Sequence, residues 1–248
     1  MQPKHRIITI TGGDCAGKET QTKLLQKVLV PSERLSAPDY NHWAGKIIQS
    51  ILQEKSFGLW SGKLDDHDVN VYQQGKHPQI LQLLHNINTW DKQETIKEKL
   101  KTRHLVMDRY IEDAYAYGVM DGCSLDFLLD LNRNFIQSDV VILLLGKGYP
   151  RSGETQDINE RDSMFQQNVR RTYDALMSFF PHWRAVDIES HQVGSVYESI
   201  HRIHKGVCDW VSRGIKEVVE PLSIDEVKEY VNEWESQRLQ SLKQTTET

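Results

Sequence analysis

Gly12-Gly13-Asp14-Cys15-Ala16-Gly17-Lys18 is the stretch that decides how this chain folds. The apolar run Ile7-Ile8-Thr9-Ile10 precedes it, and Thr20-Gln21-Thr22-Lys23-Leu24-Leu25 follows as the start of a helix. A strand, a glycine loop with G-x-x-x-x-G-K spacing and a helix N-terminus together make a phosphate cradle. Backbone N–H groups point into such a loop, the helix dipole favours negative charge, and the lysine reaches the outer phosphates. Glycine is needed where a side chain would keep the backbone away from phosphate. One position departs from the motif. Glu19 stands where a Ser or Thr hydroxyl ordinarily helps to hold Mg²⁺.

Outward from the loop, short apolar runs alternate with helical patterns. His104-Leu105-Val106-Met107 leads into Asp108-Arg109, and Val140-Val141-Ile142-Leu143-Leu144-Leu145 is a continuous apolar run, as in strands buried on both faces. Trp183-Arg184-Ala185-Val186-Asp187-Ile188 is a weaker third case. Helical patterns cover residues 95–101, 125–135, 163–180 and 193–211. This alternation predicts an α/β fold with a parallel sheet covered on both sides. Ligands of such sheets bind at the carboxyl ends of the strands. Residues 12–18 and the Asp108-Arg109 pair both fall there, so one cleft is expected to hold them.

Two stretches break the regularity. Residues 55–79 are polar and carry Gly58, Gly62, Gly75 and Pro78, which predicts an insertion or mobile loop beside the site. Asp65, Asp66 and Asp68 surround His67, but no metal-ligand spacing is matched and the segment reads as a solvated loop. From Ile215 onward the chain is highly charged, with apolar residues at Val218, Val219, Leu222, Ile224, Val227, Tyr230, Val231, Trp234 and Leu239. That pattern predicts an amphipathic C-terminal helix over residues 215–248, appended to a domain at residues 1–214 and packed on it or on a partner.

Composition narrows the setting. The chain has 248 residues, 26% of them charged, and a formal net charge of −5, so no global basic field points to nucleic acid. Cys15, Cys123 and Cys208 are far apart and fit neither a disulfide framework nor a zinc site, which suits a reducing, cytoplasmic compartment. No signal peptide is expected before the first strand, and no apolar run approaches the length of a membrane span.

Asp108-Arg109 forms the second chemical constellation. An Asp at a strand end facing a phosphate loop holds Mg²⁺ directly or through water. The neighbouring Arg clamps phosphate in a planar fork and neutralises charge that develops during transfer. The third is the polar segment from Arg151 through Gly153 and Asp157 to Arg161, which reads as an arginine-bearing flap able to close over phosphates or as a plain solvated connection.

With these pieces in place the chain resembles the thymidylate kinase family, P-loop enzymes that phosphorylate dTMP with ATP. Gly12-Gly13-Asp14-x-x-Gly17-Lys18-x-Thr20-Gln21 is similar to the family's phosphate loop, and Pro38-Asp39 with Gly45-Lys46-Ile47-Ile48 to its second-strand segment. Leu83-Leu84-His85-x-x-Asn88-x-Trp90-Asp91 resembles the helix that lines the base pocket. Asp108-Arg109-Tyr110, Ala116-Tyr117-Gly118 and the segment from Leu125 to Asn132 resemble the central block. Asp157-x-x-Glu160-x-Asp162-x-x-Phe165, leading to Val169-Arg170-x-x-Tyr173, resembles the lid region. The likeness runs in order over residues 5–212.

The resemblance implies a P-loop NTPase-type α/β fold, a parallel five-stranded sheet flanked by helices with a C-terminal helical extension. It implies ATP and Mg²⁺ as cofactors, small-molecule nucleotides as substrates, a homodimer, and neither nucleic-acid nor membrane partners. Residues 12–20 (Gly12, Gly13, Asp14, Cys15, Ala16, Gly17, Lys18, Glu19 and Thr20) would hold ATP, and Glu19, Thr20 and Asp108 would place Mg²⁺. Lys18, Asp108, Arg109, Arg151 and Arg161 would act in catalysis. Asp14, Tyr40, His85, Asn88, Thr89, Arg109 and Tyr117 would bind the acceptor, with Asp14 meeting the deoxyribose 3′-hydroxyl. Several positions depart from the family pattern. Tyr40 and Thr89 stand where relatives often carry arginines, His85 where an aromatic stacks on thymine, and Asp113 at a usual serine. The implied substrate is therefore dTMP or a 5-modified dUMP. A kinase of another deoxynucleotide or of a deoxynucleoside, and a catalytically degenerate nucleotide-binding or assembly protein, stay open at this point.

Overall fold

Strand β1 (Ile7–Gly12) runs through the middle of a five-stranded parallel sheet, and all six of its residues are buried. The structure, a computed structural model, describes residues 5–52, 61–64, 67–70, 78–146, 163–192 and 194–246. The phosphate loop leads from β1 into α1 (Lys18–Val28), then β2 (Ser32–Ser36) and α2 (Trp43–Leu52). A short antiparallel hairpin, β3 (Ser61–Leu64) with β4 (His67–Asn70), precedes α3 (Pro78–Trp90) and α4 (Gln93–Lys99). β5 (His104–Asp108), α5 (Ile111–Met120), α6 (Leu125–Asn132) and β6 (Val140–Leu145) form the central block. The chain ends with α7 (Ser163–Phe179), β7 (Trp183–Asp187), α8 (Val196–Ile215) and α9 (Ile224–Thr246).

The sheet order is β2-β5-β1-β6-β7, the parallel five-stranded arrangement expected. Alternate residues divide the core between its faces. Ile7, Leu105, Met107, Val141 and Leu143 pack with Tyr115, Leu128, Val169 and Tyr173 under α5, α6 and α7. Ile8, Ile10, Val106, Ile142 and Leu144 pack with Leu25, Val207 and Val211 under α1 and α8. The register pairs Ile10 with Asp108, Gly12 with Leu144, Ser36 with Asp108 and Leu145 with Asp187, so the carboxyl ends line up along one edge.

Three expectations are corrected. Residues 55–79, read as an insertion or loop, contain the β3–β4 hairpin; each strand is four residues with little apolar alternation to betray it. The remainder of that stretch before Pro78 lies outside the described residues. Gly45 to Ile48, likened to a second-strand segment, sits in α2; β2 ends earlier, at Ser36. A Cβ on Gly45 would lie 1.8 Å from the Asp39 carbonyl oxygen, so this helix rests directly on the loop after β2. The C-terminal pattern is also not one helix from Ile215. α8 runs on to Ile215 and stops at Lys216, whose φ of 60° is left-handed. Val218, Val219 and Leu222 form a connection, and α9 begins where Ser223 Oγ accepts the Glu226 N–H at 3.3 Å.

Candidate active site

The sequence of β1 sets up the site from beneath. Thr9 and Thr11 fall on the same face as Ile7, and both are fully buried. Thr9 meets Ser138 at 2.7 Å, while Thr11 donates to Asp113 at 2.7 Å and meets the Tyr173 hydroxyl at 2.9 Å. At the strand end Gly12 adopts φ 138°, and a Cβ there would lie 2.4 Å from the Leu144 carbonyl oxygen. Only glycine serves both demands. Cys15 (φ 60°) and Gly17 (φ 86°) complete the turn into α1.

Lys18 opens α1 directly after that turn and is only 6% exposed. Its Nζ donates to the carbonyls of Gly12 (2.9 Å) and Gly13 (2.6 Å) and lies 4.0 Å from the Asp14 carboxylate. Burial, reinforced by the positive charge of Arg109, pulls the Lys18 pKa down to about 8. Arg109 follows β5 with a left-handed φ of 62°, an unusual conformation for a residue other than glycine. Its guanidinium pairs with Asp14 and with Asp113 (3.2 Å) and lies 5.7 Å from the centre of the Tyr117 ring. Asp113 also accepts from Tyr173 at 3.2 Å. Burial lowers the Arg109 pKa, but Asp14 foremost, with Tyr117 and Asp113, outweighs it and holds the pKa well above its ordinary value.

Two cavities open on this centre. The first, about 330 Å³, is lined by the loop from Cys15 to Lys18, by Glu19, Thr20, Asp108 and Arg109, and by Ile188, Gln192 and Ile200 beyond them. The second, about 110 Å³, is lined by Asp14, Tyr40, Gln82, His85, Thr89, Arg109, Asp113 and Tyr117, among others. Arg109 belongs to both. Burial and the nearby Arg109 lower the His85 pKa to about 4, so its ring is neutral at physiological pH.

The expected residues fall unevenly around these cavities. Asn88 uses its amide on the Asp39 backbone, at 2.8 and 3.0 Å, and so fixes the loop that carries Tyr40 instead of facing the cavity. Asp108 carries an ion pair with Arg34, which also donates to Thr22 at 2.9 Å. Glu19 pairs with Lys23 at 2.9 Å. Arg151 and Arg161 lie outside the described residues. Two wall residues were not expected. Gln82 is 2% exposed and its Oε1 has no hydrogen-bond partner among the described residues, one helical turn before His85. Trp234, from α9, lines the larger cavity.

A glycine cradle at the carboxyl edge of a parallel sheet, opening beside a second cavity across a shared arginine, defines a P-loop nucleotide kinase. A thymidylate kinase family model matches residues 10–200, more than three quarters of the sequence. The chain belongs to the thymidylate kinase family, and it is a nucleoside monophosphate kinase. It is 26% identical over 234 residues to thymidylate kinase of Arabidopsis thaliana, covering 90% of this chain and 78% of the relative. It is 29% identical over 198 residues to a probable thymidylate kinase of Methanocaldococcus jannaschii, covering 79% and 94%. Among solved structures, thymidylate kinase from Candida albicans superposes with a TM-score of 0.66 at 21% identity, covering 88% of this chain and 98% of that one.

Proposed function

We propose that this enzyme transfers the terminal phosphoryl group of ATP to dTMP or a 5-modified dUMP, with the larger cavity holding the donor and the smaller one the acceptor. One observation carries the reading: Arg109 lines both cavities, so a phosphoryl group passing between them travels alongside a permanent, fixed positive charge. The acceptor is an anionic phosphate oxygen and needs no general base. Positioning and charge neutralisation are then the main sources of rate. Lys18 and the amides of residues 12–17 hold the donor phosphates, Arg109 holds the acceptor phosphate, and Asp14 orients Arg109 and the sugar. Arg151 and Arg161 would close the flap.

Asp108, Glu19 and Thr20 all line the donor cavity and offer hard oxygen donors. Mg²⁺ is typically bound by one or two carboxylates plus substrate phosphates, so this set suits it. Bound there, Mg²⁺ would screen the charge of the donor phosphates. The same reading includes a kinase domain over residues 1–214 with a helical extension at 215–248, and a homodimer formed through the outer face of α3. It also places the enzyme in a reducing cytoplasm, where Cys15, Cys123 and Cys208 stay free thiols.

A coupled assay with ATP, Mg²⁺ and a panel of dTMP, 5-hydroxymethyl-dUMP, other deoxynucleotides and thymidine tests the reading. Turnover on the first two is expected, with Lys18→Ala lowering it on the order of 10³-fold. Turnover on thymidine in preference to any monophosphate would reject it.

A further inference from the structure

α9 lies beyond the stretch matched by the family model, yet it reaches the donor cavity. Val227 and Val231 anchor it on Leu24 of α1, and Tyr197, Ile200, Leu222 and Tyr230 flank that cluster. Trp234 comes next along the same face, at i, i+4 and i+7 spacing. Lys27 Nζ stands 3.7 Å from the centre of the Tyr230 ring, and Lys23 Nζ stands 4.0 Å from the centre of the Trp234 ring. Lys23 also pairs with Glu19 in the first turn of α1. The indole is thus tied through Lys23 to the mouth of the phosphate loop.

The cavity lining combines two chemistries. Loop amides, Lys18 and Arg109 suit a polyphosphate, whereas Ile188, Val196, Ile200, Ile203 and Trp234 add apolar surface beside the polar Gln192 and Ser199. A nucleotide combines two as well, with an anionic tail and a flat aromatic ring. We propose that the C-terminal helix completes the donor-nucleotide site and that Trp234 is the aromatic wall against which the purine ring of the donor packs. The inference rests on assigning this cavity to the donor. An aromatic face stabilises a stacked ring beyond simple area burial, and the cation over Trp234 fixes its orientation beforehand.

The test compares two ligands on the full-length protein. ADP carries phosphates and a purine, whereas inorganic tripolyphosphate carries the phosphates alone. Trp234→Ala is expected to weaken ADP binding roughly three- to ten-fold while leaving tripolyphosphate unchanged, and Trp234→Phe to restore most of the loss. Trp234→Leu keeps apolar volume on α9 and makes the same comparison if the alanine variant does not fold. Equal losses for both ligands would mean that α9 merely braces α1, and undiminished ADP binding would remove Trp234 from the site; either result overturns the proposal. Wild-type protein that binds ADP but phosphorylates no monophosphate would undo the proposed activity alone, because the ADP comparison does not depend on transfer.

Discussion

Residues 82, 85 and 89 show how one helical face lines a cavity. Gln82, His85 and Thr89 recur at i, i+3 and i+7 on α3, and all three line the smaller cavity, which we propose takes the acceptor. Because burial and Arg109 keep His85 neutral, on the proposed reading it would meet a pyrimidine as a flat ring with polar edges and without positive charge. Thr89 is short and leaves space that an arginine would fill. Substituting both positions toward the family pattern, His85→Phe with Thr89→Arg, is therefore expected to shift kcat/KM toward dTMP relative to 5-hydroxymethyl-dUMP. A charge-assisted contact is worth about 1.5–3 kcal/mol, or roughly ten- to a hundred-fold. Steady-state kinetics on the two substrates checks it, and an unchanged ratio in a folded, active variant would show that these side chains do not read the base.

Elements whose signal is local were legible in the sequence. β1, the glycine loop, β5 and β6 announce themselves by apolar runs next to motif residues, and α7 by its period. What stayed hidden depends on neighbours distant in sequence. Arg34 gives no sign of its role, because its approach to Asp108 exists only once β2 pairs with β5. Asn88 reads as a pocket residue until its amide is seen holding the Asp39 backbone. Trp234 fits any amphipathic helix, and only the packing of α9 on α1 brings it to the larger cavity. α3 carries a second message on its outer face. Leu83 (45% exposed), Ile87 (40%) and Trp90 (61%) lie at i, i+4 and i+7, an apolar stripe of the kind that marks an interface. Light scattering is expected to give the mass of two chains, and Ile87→Lys to give the mass of one with the circular dichroism of the wild type. A wild-type monomer at micromolar concentration would remove the homodimer.

Across the whole molecule, a buried polar seam runs beneath the site from Thr9 and Ser138 to Thr11, Asp113 and Tyr173. Glu112 borders this seam at 3% exposure, and its Oε2 has no hydrogen-bond partner among the described residues. Burial raises its pKa from 4.5 to about 7, overcoming the hydrogen bond from Ser138. Below pH 4.5 folded and unfolded chains both carry the proton. As pH rises the unfolded chain releases it first, while the folded chain keeps it until about 7, so this stabilisation is lost across that window. Buried His85 and His204 act in the opposite sense, since each has a pKa lowered from 6.5 to about 4 and adds stability as pH rises between those values. The two effects oppose one another in mild acid, and from pH 6.5 to 7 the loss at Glu112 is no longer opposed by these two histidines. Glu112→Gln keeps the shape and cannot ionise. Its melting temperature relative to wild type is expected to climb as pH rises from 4.5 to about 7 and then level off, by the equivalent of at most about 3 kcal/mol. Thermal melts of both proteins across that range check this, and a difference that stays constant with pH would mean that Glu112 titrates normally in the folded chain.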